Sequence, residues 1–532
     1  MKKVLILLLI FCSTLIYGCD KTTTTQTTVT TTTKPTTTTE NKLELLKEKN
    51  PNNMVFYELF VRSSFDSNGD GIGDFKGITE NINYFIDLGI EAIWLMPINE
   101  SNSYHGYDIV DYMSVEQDYG TLEEFKEMLD VYNSNGIRIF MDFVINHTSD
   151  QHEWFKKAVA NDPKYRNYYV WNNNNAYETF VGGMKDLNLK NEDVIKDIIE
   201  IGNYYIDLGV SGFRLDAVKH FFQPAENQIA GCSAPLMNYL LVNRLRNEFR
   251  KKNPDVFLIS EVLDVNAVSN VYFKGSDSVF NFDLKDNIVK RVSGSDSTNY
   301  APVAYRIFND IRKINPNFID SVIFDNHDLD RLASLLGDDK NKDKRLKLAC
   351  DMLLSLPGNP FIYYGSELGL EGSRAEGENL NGYGIVYDEY RRLPLKLGNE
   401  YQTSWINTTK YNVKVNSYEV QKLDSNSLYN HYVNMINIRK NNIALKYGND
   451  FKKTNLSLSG TSSFIRTFND EELGLSQNVV VIHNFDTKEI DITSYGFTNL
   501  IYGSNQSNLN KISPLSTVII ELDNNKVKEY AK

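Results

Sequence analysis

The chain has 532 residues, 41% of them apolar and 12% aromatic, enough for a large core and more than one ordinary domain. Its formal charge of −13 argues against electrostatic binding to the phosphate backbone of nucleic acids or to an anionic membrane surface. Four cysteines with no CxxC pair and no Cys/His cluster exclude a disulfide framework and a zinc site.

In chain order, a basic start at Met1–Lys3 leads into the apolar run Val4–Tyr17, too short to span a bilayer comfortably, and residues 1–18 read as a secretory signal. Gly18 before Cys19 resembles the bacterial lipobox, which implies a lipid on Cys19 and anchorage at the outer face of the bacterial membrane. Residues 19–41, rich in threonine with a single proline, cannot bury a core and read as a disordered tether.

Short apolar runs then alternate with amphipathic stretches. The strand-like runs begin at Val55, Ala92, Ile137, Gly212, Val256, Val279, Ser321 and Pro360. Residues 121–136 and 191–209 carry apolar residues at spacings of three and four and close on glycine, as helices do. Eight strands alternating with helices predict a (β/α)8 TIM barrel over residues 42–147 and 190–447. The long gap after the third strand predicts a short inserted domain over 148–189. Beyond Tyr447, short runs separated by turns predict a C-terminal antiparallel β-sandwich over 448–532.

Barrel chemistry sits at the C-terminal ends of the strands. There the third strand carries Asp142, Asn146 and His147, the fourth Arg214 and Asp216, the fifth Glu261, and the seventh Asp325, His327 and Asp328. Carboxylates converging from three strands suit glycoside hydrolysis, which needs one nucleophile and one proton donor. The segments DFVINH (142–147), GFRLDAVKH (212–220), SEVLD (260–264) and FDNHD (324–328) resemble, in order, the four sequence regions of the α-amylase family of glycoside hydrolases. MKDLNL (184–189) resembles its fifth region.

The resemblance implies Asp216 as nucleophile, Glu261 as general acid/base and Asp328 as the carboxylate that binds sugar hydroxyls. It implies further that His147 and His327 donate to the sugar, that Tyr107 stacks on it and that Arg214 holds the nucleophile ionised. Lys219 and His220 resemble residues on the leaving-group side of endo-acting amylases, whereas Asp108 resembles enzymes that grip a terminal glucose. The resemblance also implies Ca²⁺ in the loop DSNGDGIGD (66–74), through Asp66, Asn68, Asp70 and Asp74 and the Ile72 carbonyl. Oxygen ligands at alternate positions suit that ion, although Gly77 occupies the position where an EF-hand has glutamate. Of the tryptophans, Trp171 in the inserted segment is the best candidate for a sugar platform. The expected substrate is an α-1,4-glucan. The alternatives are an oligo-1,6-glucosidase or α-glucosidase, a neopullulanase-like enzyme with transglycosylation, and a non-catalytic sugar-binding relative.

Overall fold

The computed structural model describes residues 38–532 except 225, 226, 378, 381, 382 and 409. Eight parallel strands form one sheet: β1 (Phe56–Leu59), β2 (Ala92–Leu95), β3 (Arg138–Phe143), β4 (Gly212–Leu215), β5 (Phe257–Ser260), β6 (Ser278–Val279), β7 (Ser321–Val322) and β8 (Asn359–Tyr363). Their spatial order is β6-β5-β4-β3-β2-β1-β8-β7, and a parallel bridge from Phe280 to Ser321 joins the two ends. The sheet thus closes into the expected (β/α)8 barrel. Signal and lipid site, including Cys19, lie outside the described residues.

Alternation along each strand decides what fills the barrel. Inward positions place Phe56, Phe140, Phe257, Phe280 and Phe361 in one packed cluster with Trp94, separate from the outer helix-facing core. Phe56 and Phe361 stack with ring centroids 4.3 Å apart. Gly212 leaves the space this needs: a Cβ there would lie 2.2 Å from the Phe257 carbonyl oxygen and 2.7 Å from the Phe140 ring.

Three expected boundaries shift. The tether ends earlier than residue 41, because Thr39–Lys49 is a helix. Its amide at Asn41 bonds the Thr38 hydroxyl, and Glu40 and Lys49 sit at the ends that favour their charges. The sixth strand stops at Val279, since Asn281 caps the helix Phe282–Ser293 by accepting from the Leu284 amide. The third run breaks in two, and its second part, His147–Ser149, pairs antiparallel with Met184–Asp186. That pairing ties both ends of the inserted segment to the rim of β3.

The C-terminal part is a five-stranded antiparallel sheet: β9 (Asp450–Lys453), β10 (Thr461–Asp470), β11 (Leu475–Asn484), β12 (Leu500–Gly503) and β13 (Ser516–Glu521), in the order β9-β10-β11-β13-β12. One face, with Phe464, Val479, Val481 and Ile519, joins the barrel core. The other, with Ile465, Val480, Ile482 and Val518, packs with Ile492 and Ile512 beside the two-stranded ladder 490–491/511–512.

Candidate active site

Two residues beyond the inward aromatics, the same alternation brings charge into the barrel mouth. Phe56 is followed by Glu58 on β1, Phe140 by Asp142 on β3, and Gly212 by Arg214 and then Asp216 at the end of β4. Arg214 and Asp142 are in register, and the Arg214 guanidinium lies 5.1 Å above the Trp94 ring. Arg214 is fully buried. Its Nη1 donates to Asp142 (2.9 and 3.1 Å) and to Asp216 Oδ1 (2.6 Å), and its Nη2 lies 3.2 Å from Glu261 Oε2. One cation therefore serves three carboxylates.

Burial works against that cation. Burial pushes the Asp216 carboxyl above its ordinary range, and Arg214 offsets this only in part. Asp142, also buried against Arg214, rises to about 7. Burial raises Glu261 as well, with the Asp216 and Asp328 charges adding to the effect and Arg214 opposing it. The Ala217 amide donates to Glu261 Oε2 at 2.9 Å, from a left-handed backbone conformation (φ +51°) that only a tight turn after Asp216 demands.

A second charged group stands beside the first. His327 Nδ1 is 2.6 Å from Glu58 Oε1, and its Nε2 is 3.0 Å from Asp328 Oδ2 and 2.6 Å from the Tyr107 hydroxyl. Burial alone would lower the imidazole, but Asp328 and Glu58 outweigh it and raise His327 to about 9, so it is an imidazolium at neutral pH. Asp328 is correspondingly held far below the ordinary carboxylate range: partial desolvation at the cleft floor opposes this, but His327 and Arg392 prevail. Arg392 Nη2 donates to Asp328 Oδ1 at 3.2 Å and lies 2.9 Å from Asp388. The Asp216 and Glu261 side chains are 11% and 18% exposed, whereas Asp328 is 52% exposed and open to a ligand.

Above this floor is a cleft of about 430 Å³, within the range of small-molecule sites. Tyr107, His147, Asp216, Lys219, His220, Glu261 and Asp328 line it as expected. Burial lowers His147 to about 4, and its neutral ring donates from Nε2 to the Tyr107 carbonyl at 3.1 Å. Lys219 pairs with Asp264 at 2.7 Å, and His220 bonds Gln223. Two expected sugar contacts do not reach the wall. Asp108 is buried and accepts from the Ser103 hydroxyl, and His327 lies beneath the floor with both ring nitrogens engaged by protein. Arg214 likewise acts from below.

Sequence reasoning missed Glu58, His105, Phe180, Asp388 and Arg392, of which all but Glu58 line the cleft. Glu58 had a signal, an acidic residue at an inward position of an apolar strand. Arg392 had none, since its partner Asp328 is 64 residues away. Trp171 stacks on Phe155, and its indole N–H donates to the Arg166 carbonyl, so it packs the inserted segment rather than a sugar.

In the 66–74 loop the oxygens close turns. Asp66 accepts from the amides of Asn68, Gly69 and Gly71, Asn68 from Asp70, Asp70 from Ile72, and Asp74 from Ser67 and Gly77. The donors are the hard oxygens calcium takes, and carboxylates already accepting amides keep lone pairs for an ion. Among the described residues, no three Asp, Glu, His or Cys side chains form a metal-holding group.

Comparison with known proteins accords with this arrangement. Residues 58–179 and 173–448 match the family described as alpha amylase, catalytic domain. The chain is 34% identical over 505 residues to alpha-amylase 3 of Dictyoglomus thermophilum, covering 88% of this chain and 93% of that one. It is 31% identical over 416 residues to a 4-alpha-glucanotransferase of Thermotoga maritima, covering 73% and 88%. Among solved structures, the alpha-amylase from H. orenii superposes with a TM-score of 0.76 at 32% identity, covering 89% of this chain and all of that one. With its barrel, its floor of carboxylates and these matches, the chain belongs to the α-amylase family of glycoside hydrolases.

Proposed function

We propose that this enzyme hydrolyses α-1,4-glucosidic bonds of starch and maltooligosaccharides with retention of configuration, acting outside the cell from a lipid anchor on Cys19. The carrying observation is the Arg214 guanidinium, which gathers Asp216 and Glu261 on one cation; retaining enzymes need their two carboxyls only ~5 Å apart. Glu261, whose pKa burial and the neighbouring Asp216 and Asp328 charges raise, gives its proton to the glycosidic oxygen as Asp216 attacks the anomeric carbon. The bond to the leaving sugar breaks and a glycosyl–Asp216 ester forms. Glu261, now a carboxylate, takes a proton from water, whose oxygen displaces Asp216. A sugar hydroxyl in place of that water gives transglycosylation. Asp328, kept ionised by His327 and Arg392, accepts from the sugar hydroxyls.

Lys219 and His220 on the cleft wall favour internal cleavage of a chain, and Asp108, turned onto Ser103, gives the terminal-glucose reading no support. Digestion of reducing-end-labelled maltoheptaose should release internal fragments before glucose. Release of glucose alone would favour the glucosidase reading. Asp216→Asn should lose activity by several orders of magnitude, and near wild-type turnover would remove Asp216 from its role.

For the 66–74 loop we propose Ca²⁺ held by Asp66, Asn68, Asp70, Asp74 and the Ile72 carbonyl, a structural ion away from the bond-breaking groups. A chelator should lower the melting temperature of the wild type and leave that of Asp70→Ala unmoved; equal shifts in both would refute it. The anchor predicts incorporation of labelled palmitate that Cys19→Ala abolishes.

A further inference from the structure

A second cleft, of about 640 Å³, lies between the strand Ile109–Val115, the helix Glu153–Val159 and the helix Glu192–Leu208. It shares no lining residue with the catalytic cleft. Its walls carry the partly exposed rings of Trp154 and Tyr165, laid over the buried Tyr112 and His152. Tyr112 and Trp154 lie with ring centroids 5.9 Å apart, and the Trp154 indole N–H has no partner among the described residues.

His152 is the informative group. It is only 4% exposed, yet it lines this cleft. Its Nδ1 accepts from the Trp154 backbone amide at 3.0 Å and therefore carries no proton. The ring proton is thus fixed on Nε2, which has no protein partner among the described residues. A buried ring thereby presents an unpaired N–H donor to an aromatic-walled space. Burial lowers the His152 pKa to about 4, which keeps the ring neutral in ordinary buffers.

The remaining polar lining selects among ligands. Acidic side chains, among them Asp111 and Glu200, outnumber Lys156 and Lys157, so the cleft repels anions. A neutral ligand with apolar C–H faces and many hydroxyls meets every feature: rings for its faces, carboxylates for its O–H donors and an N–H for its oxygens. We infer that this cleft is a non-catalytic binding site for a neutral oligosaccharide, with Trp154 and His152 at its centre. Given the function proposed above, the oligosaccharide is a segment of the α-glucan whose other end enters the catalytic cleft or lies on a neighbouring chain.

The probe is maltoheptaose, titrated calorimetrically into the full chain carrying Glu261→Gln so that no turnover occurs. Two sites per chain are expected. Adding Trp154→Ala should leave one, and Tyr165→Ala, which removes a half-buried ring at the cleft's edge, should weaken the second site about tenfold without unfolding the inserted segment, as checked by circular dichroism. One site in Glu261→Gln, or two that survive both ring substitutions, would overturn the inference. Starch hydrolysis by the wild type is measured alongside. Hydrolysis with a single binding site refutes the second cleft alone, whereas absent hydrolysis and absent binding refute the proposed function with it.

Discussion

Glu58 shows how much one buried carboxylate can organise. It is 1% exposed, accepts from both the ring and the backbone amide of His327, and leaves its Oε2 without a hydrogen-bond donor. A buried anion is tolerated only opposite a cation, so Glu58 and Asp328 together keep His327 protonated. The folded value of about 9 lies above the ordinary 6.5, so the stabilisation is fully present below pH 6.5 and is lost as pH rises through 9. The difference corresponds to about 3 kcal/mol. Glu58→Gln should therefore be least stable relative to wild type below pH 6.5, with the gap closing toward pH 9 in urea titrations. A gap that widens with pH would contradict the assignment. Because His327 also steadies Asp328, the same variant should lose about ten- to a hundredfold in kcat, the scale on which small misplacements act.

At the scale of elements, β4 was the most legible part of the sequence. Its alternation alone put Arg214 and Asp216 on one face, and the ordered motifs from β3 to β7 named the barrel and its three floor carboxylates. What escaped was set by contacts that no local pattern records. Asp108 sits beside the right tyrosine, but the Ser103 hydroxyl claims it. The sixth and seventh strands keep only two ladder residues each, because capping by Asn281 and the turn into the catalytic loop end them early. The direction of the Asp216 shift depended on how deeply the barrel mouth buries that carboxyl, which the strand pattern does not record. Gly212 tests how tightly this face is packed. The Cβ of Gly212→Ala would press on the backbone of β5 and on Phe140, neither of which is a flexible side-chain end. The variant should be destabilised by about 3 kcal/mol or more, near the upper end of overpacking costs, and read as a lower urea midpoint. It should also lose activity, since relief requires β4 and β5, and with them Asp216 and Glu261, to move apart. Unchanged stability would mean that the two strands are not held at this spacing.

For the whole molecule, the question is what joins the C-terminal sheet to the barrel. Apolar contact supplies area, through Phe464, Val481 and Ile519, but a polar anchor lies within it. Asp351, on the helix Lys342–Ser355, is fully buried and accepts from the Tyr502 hydroxyl of β12 at 2.9 Å and from the Ser504 hydroxyl at 2.9 Å. His431 Nε2, from the helix Leu428–Asn441, is 2.8 Å from the same carboxylate. One side chain thus ties two barrel helices to the sheet. Close by, Arg466 of β10 donates to the Ser355 carbonyl at 3.0 Å. Removing the acceptor strands buried donors, each at a cost of about 1–3 kcal/mol. Asp351→Ala should therefore lose about 3 kcal/mol or more. Because the loss falls on the joint rather than on either core, calorimetry should show one unfolding transition in the wild type and an earlier, separate transition for the sheet in the variant. Asp351→Asn, which keeps one carbonyl oxygen as acceptor, should fall between the two. The catalytic cleft has no side chain in this joint, so turnover measured below the first transition should match the wild type. A single transition at an unchanged temperature in Asp351→Ala would show that apolar contact alone couples the sheet to the barrel.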